Sequence, residues 1–394
     1  MKKKITVSTA VTLIILVVAL TISMTMLFAM RHFNQQIQSV QQRQAMYAHI
    51  NDVDKTVREY YQDLDEEALK QAITRGYVTG IGDKYTAYFT PEEFERETQL
   101  TSGYANDMGV VVDLNAEGQM VISHVYPNSA AEKSGVKAGD VITAINEQDV
   151  AQMTIGDVRW VLGNDEEVLV SVSRPDADQA FKLSSLRYEL TSVQKIVRGK
   201  VGYVKITGFY ENTPRQFKTA VASLLEEGVT GIVFDLRGNA GGLPEAVEEM
   251  LSYVMPLGQY GSKTSASGEV TYLTAQINNQ IGVQSATLVD NTTAGEAEFF
   301  AGVLQEAGVT VVVGETTAGE AKYQGYFRLE SDGSAMKLSI GEYKRLKGGS
   351  WQNVGIVPEH EVVLSAQDKA LLPLYTPEQD AQYQAALTHL PTAE

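Results

Sequence analysis

Residues 231–242 read Gly-Ile-Val-Phe-Asp-Leu-Arg-Gly-Asn-Ala-Gly-Gly. An apolar run that ends in a charged, glycine-dense turn is the pattern of a buried strand delivering a loop to a functional edge. Fifty residues on, 292–298 read Thr-Thr-Ala-Gly-Glu-Ala-Glu and lead into the apolar helix start Phe-Phe-Ala-Gly-Val-Leu. A second buried strand at 309–313 opens into 314–324, Gly-Glu-Thr-Thr-Ala-Gly-Glu-Ala-Lys-Tyr-Gln. Working outward, the strand Val-Gly-Tyr-Val-Lys-Ile starts at Val201, and the helix 213–227 buries Phe217, Val221, Leu224 and Leu225 on one face. Strand and helix patterns keep alternating through 243–255, 286–290 and 297–305. This predicts an α/β fold with a mixed, largely parallel sheet and covering helices. Loops at the C-terminal ends of such strands carry function, and 237–242 and 294–298 both fall there.

These segments resemble the C-terminal processing (tail-specific) serine peptidases. The pattern in that family is Thr/Ser-Ala-Ser-Ala-Ser/Ala-Glu, with the middle serine as nucleophile. Its base is a lysine twenty-five residues downstream, followed four residues later by a glutamine. Carried onto this chain, the nucleophile position is Gly295, the lysine position is Glu320 and the glutamine is Gln324. Glycine has no hydroxyl, and a carboxylate cannot serve as the depressed-pKa amine that activates a serine. The resemblance thus implies the family's fold without its chemistry, a pseudopeptidase that binds peptides or protein partners. An active serine-type endopeptidase using the displaced groups Thr293 and Lys322 is the alternative, and a structural envelope protein with a vestigial cleft is a third reading. In the family, backbone amides of the glycine loop help hold the oxyanion, a role that Gly241 and Gly242 retain.

Upstream, 134–146 read Ser-Gly-Val-Lys-Ala-Gly-Asp-Val-Ile-Thr-Ala-Ile-Asn and resemble the signature segment of PDZ domains, within a small β-rich unit at 102–190. PDZ domains add a peptide C-terminus to a sheet edge and capture its carboxylate on backbone amides. The resemblance places carboxylate capture at residues 107–110 (Met108, Gly109 and Val110) and the facing helix at 154–162, with Val158, Val161 and Leu162 on one face. Asp107 stands beside that loop and opposes a ligand carboxylate. Further resemblance at residues 83–88, 332–343, 355–359 and 380–387 extends the likeness over 59–390, with 332–343 and 355–359 reading as closing strands and 380–387 as the final helix.

The chain has 394 residues, a formal net charge of −17 and no cysteine. Its acidity argues against binding a nucleic-acid backbone, and without cysteine there is no disulfide framework, thiol nucleophile or thiolate metal site. The five histidines lack metal-ligand spacing, so no metal or cofactor is expected. Residues 6–30 are uncharged and follow three lysines. This predicts a signal anchor, a single-pass membrane protein with the bulk of the chain extracytoplasmic; a cleaved signal is the alternative. The division expected is therefore 1–30 anchor, 31–101 helical region, 102–190 PDZ-like domain, 191–390 peptidase-like core and 391–394 tail. In the family, N-terminal helices like these commonly pair subunits, which implies a homodimer or a heterodimer with an active homologue.

Overall fold

The computed structural model describes residues 7–115, 117–276, 281–372 and 375–391. The chain divides into two units, Met1–Ile73 and Thr74–Glu394. The first is built on one helix, α1 (Val7–Tyr60), which is 54 residues long. No glycine or proline interrupts the sequence between 7 and 60, so nothing breaks the backbone ladder where the membrane span was expected to give way to a second helix. Asp65 then accepts the amides of Glu67 and Ala68 to start α2 (Glu66–Thr79).

Among the described residues no helix is long and apolar enough to cross a membrane, which overturns the expectation of a single-pass membrane protein. The stretch 16–28 of α1 exposes apolar side chains, among them Leu16, Leu20, Ile22 and Leu27. Within it, Thr21 turns its hydroxyl back onto the Val17 carbonyl at 2.8 Å. The lysines expected to orient the span, and residues 392–394 of the tail, lie outside the described residues.

In the second unit, β1 (Ala87–Phe89) and α3 (Pro91–Thr101) precede β2 (Tyr104–Asp107). Thr90 and Glu93 form a reciprocal capping box at the start of α3. There follow β3 (Val110–Leu114), β4 (Met120–Val125), α4 (Ala130–Ser134), β5 (Val141–Ile145), β6 (Gln148–Asp149), α5 (Ile155–Asn164), β7 (Glu167–Ser173) and β8 (Gln179–Ser184). Five of these strands form a sheet in the order β3-β4-β5-β7-β8, with β6 paired to β5. Alternate residues Val168, Val170 and Val172 point into one core with Ile122, Ile142 and Leu183. Strand β9 (Leu186–Glu189) returns antiparallel to β2 and hands the chain to the larger core.

That core contains β10 (Val193–Arg198), β11 (Val201–Ile206), α6 (Thr213–Glu226), β12 (Gly231–Asp235), α7 (Pro244–Val254), β13 (Gly258–Ser265), β14 (Val270–Ala275), β15 (Gln284–Val289), α8 (Glu296–Glu306) and β16 (Thr310–Gly314). It closes with β17 (Lys322–Arg328), β18 (Ala335–Arg345), β19 (His360–Glu361), α9 (Ala366–Leu371) and α10 (Ala381–Leu387). The main sheet runs β10-β11-β12-β15-β16-β19 and is parallel from β11 to β19. Strand β12 is buried on both faces: Ile232 and Phe234 pack with α6, α7 and α8, while Val233 packs with Tyr383 and Ala386 of α10. Burying each such side chain contributes about 1.5–3 kcal/mol.

A second sheet, β1-β18-β13-β14 with β17 on β18, contains the hairpin β13–β14, which no motif in the sequence announced. Residues 355–359, expected as a closing strand, run as a loop. Ile356 exchanges hydrogen bonds with Thr317 there, and this fixes the segment against the 315–320 turn instead of a sheet.

Candidate functional site

Strand β12 ends at Asp235 and releases the loop 236–243. Its shape is set by side chains: Asn239 donates to the Ile206 carbonyl at 3.0 Å and accepts the Gly241 amide at 2.9 Å. Gly242 passes so close to β11's continuation that a Cβ there would lie 2.2 Å from the Phe209 carbonyl oxygen, so only glycine fits. The Ala294 amide donates to the Asn239 carbonyl, and the Ala318 amide to the Thr293 carbonyl. The three segments singled out in the sequence are thus sewn edge to edge.

Gly295 is the residue before α8, with φ 58° and ψ −123°. A side chain held in such a sharp strand-to-helix turn projects from the sheet edge, at a cost in backbone strain. A Cβ at 295 would meet only the Ala240 carbonyl at 3.5 Å and the Gly241 Cα at 3.8 Å, both ordinary contacts. The turn has room for a side chain at 295, and glycine carries no hydroxyl there.

Glu298, one turn into α8, gathers the site. It accepts the amides of Gly295 at 3.1 Å, Gly319 at 2.8 Å and Glu320 at 2.7 Å, and the Thr317 hydroxyl. Gly295 and Glu320 share its Oε2, so positions 295 and 320 are neighbours in space. Burial pushes the Glu298 carboxyl up, and the four donors pull against that shift. The Glu320 side chain is 5% exposed, and its Oε1 accepts the Lys322 amide at 3.3 Å. Lys84 is held above its ordinary value by Tyr85 first, then by Glu320 and Glu298.

The displaced groups lie differently. Thr293 is fully buried, and its hydroxyl contacts the Leu236 carbonyl and Asp290 Oδ1 at 3.1 Å each while accepting the Asp290 amide at 3.0 Å. Lys322 opens β17, and its ammonium acts on Asp83. Gln324 is half-buried, donates to the Lys322 carbonyl at 3.3 Å, and lines a cavity of about 320 Å³ with Leu243, Pro244, Lys263, Tyr323 and Tyr326.

The residue that sequence reasoning missed is Glu296. It is 1% exposed, and its Oε2 accepts the Gly242 amide at 3.0 Å. Tyr343 donates to its Oε1 at 3.4 Å. Burial pushes this carboxyl up to about 7. The signal was available, because 296 follows the position that aligns with the family's serine, where the family pattern has alanine.

In the smaller core, Met108, Val158 and Leu162 are buried against one another, and Val161 is half-buried beside them. Their side chains fill the domain's interior instead of lining an open groove. The Met108 amide donates to the Leu162 carbonyl at 3.3 Å, and the Gly109 amide to Asp107 Oδ1 at 2.6 Å. Asp107 also accepts the Tyr188 hydroxyl at 2.8 Å, and burial moves its carboxyl up. Val110 begins β3, which among the described residues pairs with β4 and has no strand on its other edge. Arg159 of α5 reaches across that edge and donates to the Val112 carbonyl through Nε at 2.8 Å and Nη2 at 2.6 Å.

Residues 200–362 match Peptidase family S41, and residues 121–174 match the PDZ domain. Fold and site together define a serine peptidase scaffold bearing a PDZ domain. These matches support a C-terminal processing peptidase family with a PDZ domain. Carboxy-terminal processing protease CtpA of Bacillus subtilis (strain 168) is 26% identical over 321 residues, covering 80% of this chain and 68% of the relative. CtpB of the same organism is 26% identical over 311 residues, covering 76% of this chain and 64% of the relative. The chain thus spans about two thirds of these relatives' length. The solved structure of a "Putative S41 protease" from Bacteroides fragilis NCTC 9343 superposes with a TM-score of 0.59 at 18% identity, covering 83% of this chain and 90% of that one.

Proposed function

We propose that this chain is a pseudopeptidase of its family, binding peptides or protein partners without cleaving them. One observation carries the reading: positions 295 and 320 share the Glu298 carboxylate, and they hold glycine and a buried glutamate. Serine peptidase chemistry needs a hydroxyl within hydrogen-bond reach of a base, roughly 2.6–3.2 Å. Gly295 has no hydroxyl to activate, and Glu320 places a carboxylate where the family has its amine base. The engagement of the Thr293 hydroxyl with Leu236 and Asp290 counts against its recruitment as a substitute.

The PDZ domain supports peptide binding as the retained activity. We take residues 102–190 as that binding unit and 191–390 as the peptidase-like core, with Gly241 and Gly242 as the surviving oxygen-binding loop. Incubation of the purified full chain with casein, followed by mass spectrometry, tests the reading. Intact casein is expected. Cleavage abolished by Thr293→Ala or Lys322→Ala would overturn it in favour of displaced catalysis.

A further inference from the structure

The Glu296 carboxyl sits where the glycine loop would receive a ligand's oxygen. Its Oε2 takes the Gly242 amide at 3.0 Å, and a Cβ added to Gly241 would come within 2.6 Å of the same atom. Its other oxygen faces the Tyr343 hydroxyl. A buried carboxylate is expensive unless it is paired. This one is held by an amide and a phenol, with no guanidinium or ammonium among those partners. Glu245, one residue into α7, adds like charge to the effect of burial. Tyr326 on β17 feels Glu296 in turn, its hydroxyl held back from ionising by burial, then Glu97, then Glu296. The cavity beside Gln324 begins at Leu243, the residue after Gly242. A peptide whose oxygen rests on the Gly242 amide therefore has a recess for a side chain next to it, walled by Leu243, Pro244, Tyr323 and Tyr326 and edged by Glu245 and Lys263.

We propose that Glu296 is an internal ligand of the Gly241–Gly242 loop, standing in for the carbonyl or carboxylate oxygen of a bound peptide. A peptide reaches this loop only by displacing it. The inference rests on the reading that the cleft binds and does not cleave, and it identifies the ligand as an extended peptide with an apolar residue beside the oxygen that docks. Glycine at 241 leaves space for the carboxyl, and glutamate at 296 is just long enough to fill that space.

Amide hydrogen exchange of the segment 239–243, followed in the full chain by mass spectrometry, tests it. The probe is an N-acetylated Ala-Ala-Leu peptide with a free C-terminus. In the wild type the Gly242 amide should exchange slowly and be indifferent to the probe. In Glu296→Ala it should exchange about tenfold faster, as expected on losing one charge-assisted hydrogen bond, and the probe should restore protection. Glu296→Gln keeps an accepting oxygen and should behave as wild type. Should the alanine chain fail to fold, Glu296→Asp withdraws the carboxyl by one methylene and carries the same comparison. Unchanged exchange in the folded alanine or aspartate variant, or accelerated exchange that the probe does not reverse, overturns the proposal. Casein cleavage by the wild type would overturn the pseudopeptidase reading separately, since exchange at 239–243 does not report turnover.

Discussion

Arg237 and Asp380 are joined by two parallel hydrogen bonds, Nη1 to Oδ1 at 3.0 Å and Nη2 to Oδ2 at 2.8 Å. They lie 143 residues apart in the chain. The same guanidinium holds Asp235 through Nε at 3.0 Å and Nη2 at 2.6 Å, so one buried cation locks the end of β12 to the N-cap of α10. Burial alone would raise the Asp235 carboxyl, but Arg237 and Lys205 outweigh it and hold it well below the usual range.

Replacing Arg237 by alanine leaves two carboxylates buried without their shared partner. Loss of one member of a buried pair costs about 3–5 kcal/mol. Urea unfolding of Arg237→Ala should show a loss of that order. Asp380→Asn, which keeps an accepting oxygen, should lose clearly less. Equal losses would mean that α10 is held by packing and that the ion pairs are incidental.

The Glu296 carboxyl makes stability depend on pH in a stated direction. Its folded value of about 7 lies above the ordinary 4.5, so between these values the folded chain binds more protons than the unfolded one. The contribution is therefore fully present below about 4.5 and is lost as pH rises through about 7, up to about 3 kcal/mol in all. Glu298, Glu248 and Asp107 shift in the same direction and add to the slope. Urea midpoints of the wild type and Glu296→Gln should lie closest at low pH and diverge as pH rises through about 7, with only the wild type losing stability to this group across the window. Identical slopes would show that Glu296 does not titrate there.

Gly295→Ser should fold, because its Cβ meets nothing closer than 3.5 Å. The left-handed φ of 58° should cost about 1–3 kcal/mol. A fluorophosphonate probe should not label the single variant, since position 320 offers no amine. Labelling is expected only in Gly295→Ser combined with Glu320→Lys, as for groups that act as a unit. Equal labelling of the single variant would reveal another base within reach.

Arg159→Ala uncovers the Val112 carbonyl on the free edge of β3. Fluorescence anisotropy should show an extended peptide binding several-fold more tightly to this variant. Asp107→Ala frees the Gly109 amide and should make affinity depend on a free peptide C-terminus. A fall in affinity on Arg159→Ala would mean that the arginine holds the peptide itself.

The buried strands and glycine loops were legible because their signals are local: 232–234 is an apolar run, and the glycine-dense turn Asn239 to Gly242 closes it. The buried face of α6 followed from its spacing. The hairpin β13–β14 was not legible, because 258–265 is mostly small and polar and its pairing partner β18 lies far along the chain. Nor could spacing show that Val158 and Leu162 turn inward, since one apolar stripe serves a groove or a core equally well. Glu298 reads as a helix residue; only folding brings the 317–320 turn onto its oxygens.

The guanidinium of Arg159 lying across β3 has a consequence for how copies of this chain behave together. A strand with an unpaired edge is a template on which another molecule's strand can zip, and that is how folded proteins begin to aggregate. The Nε and Nη2 hydrogen bonds to Val112 blunt that template with a charge at its middle, and Asp113 beside it anchors the arginine at 2.9 Å. Whatever opens the edge to a peptide also opens it to a neighbour, so the chain's colloidal stability and its capacity to bind extended segments are governed by the same side chain.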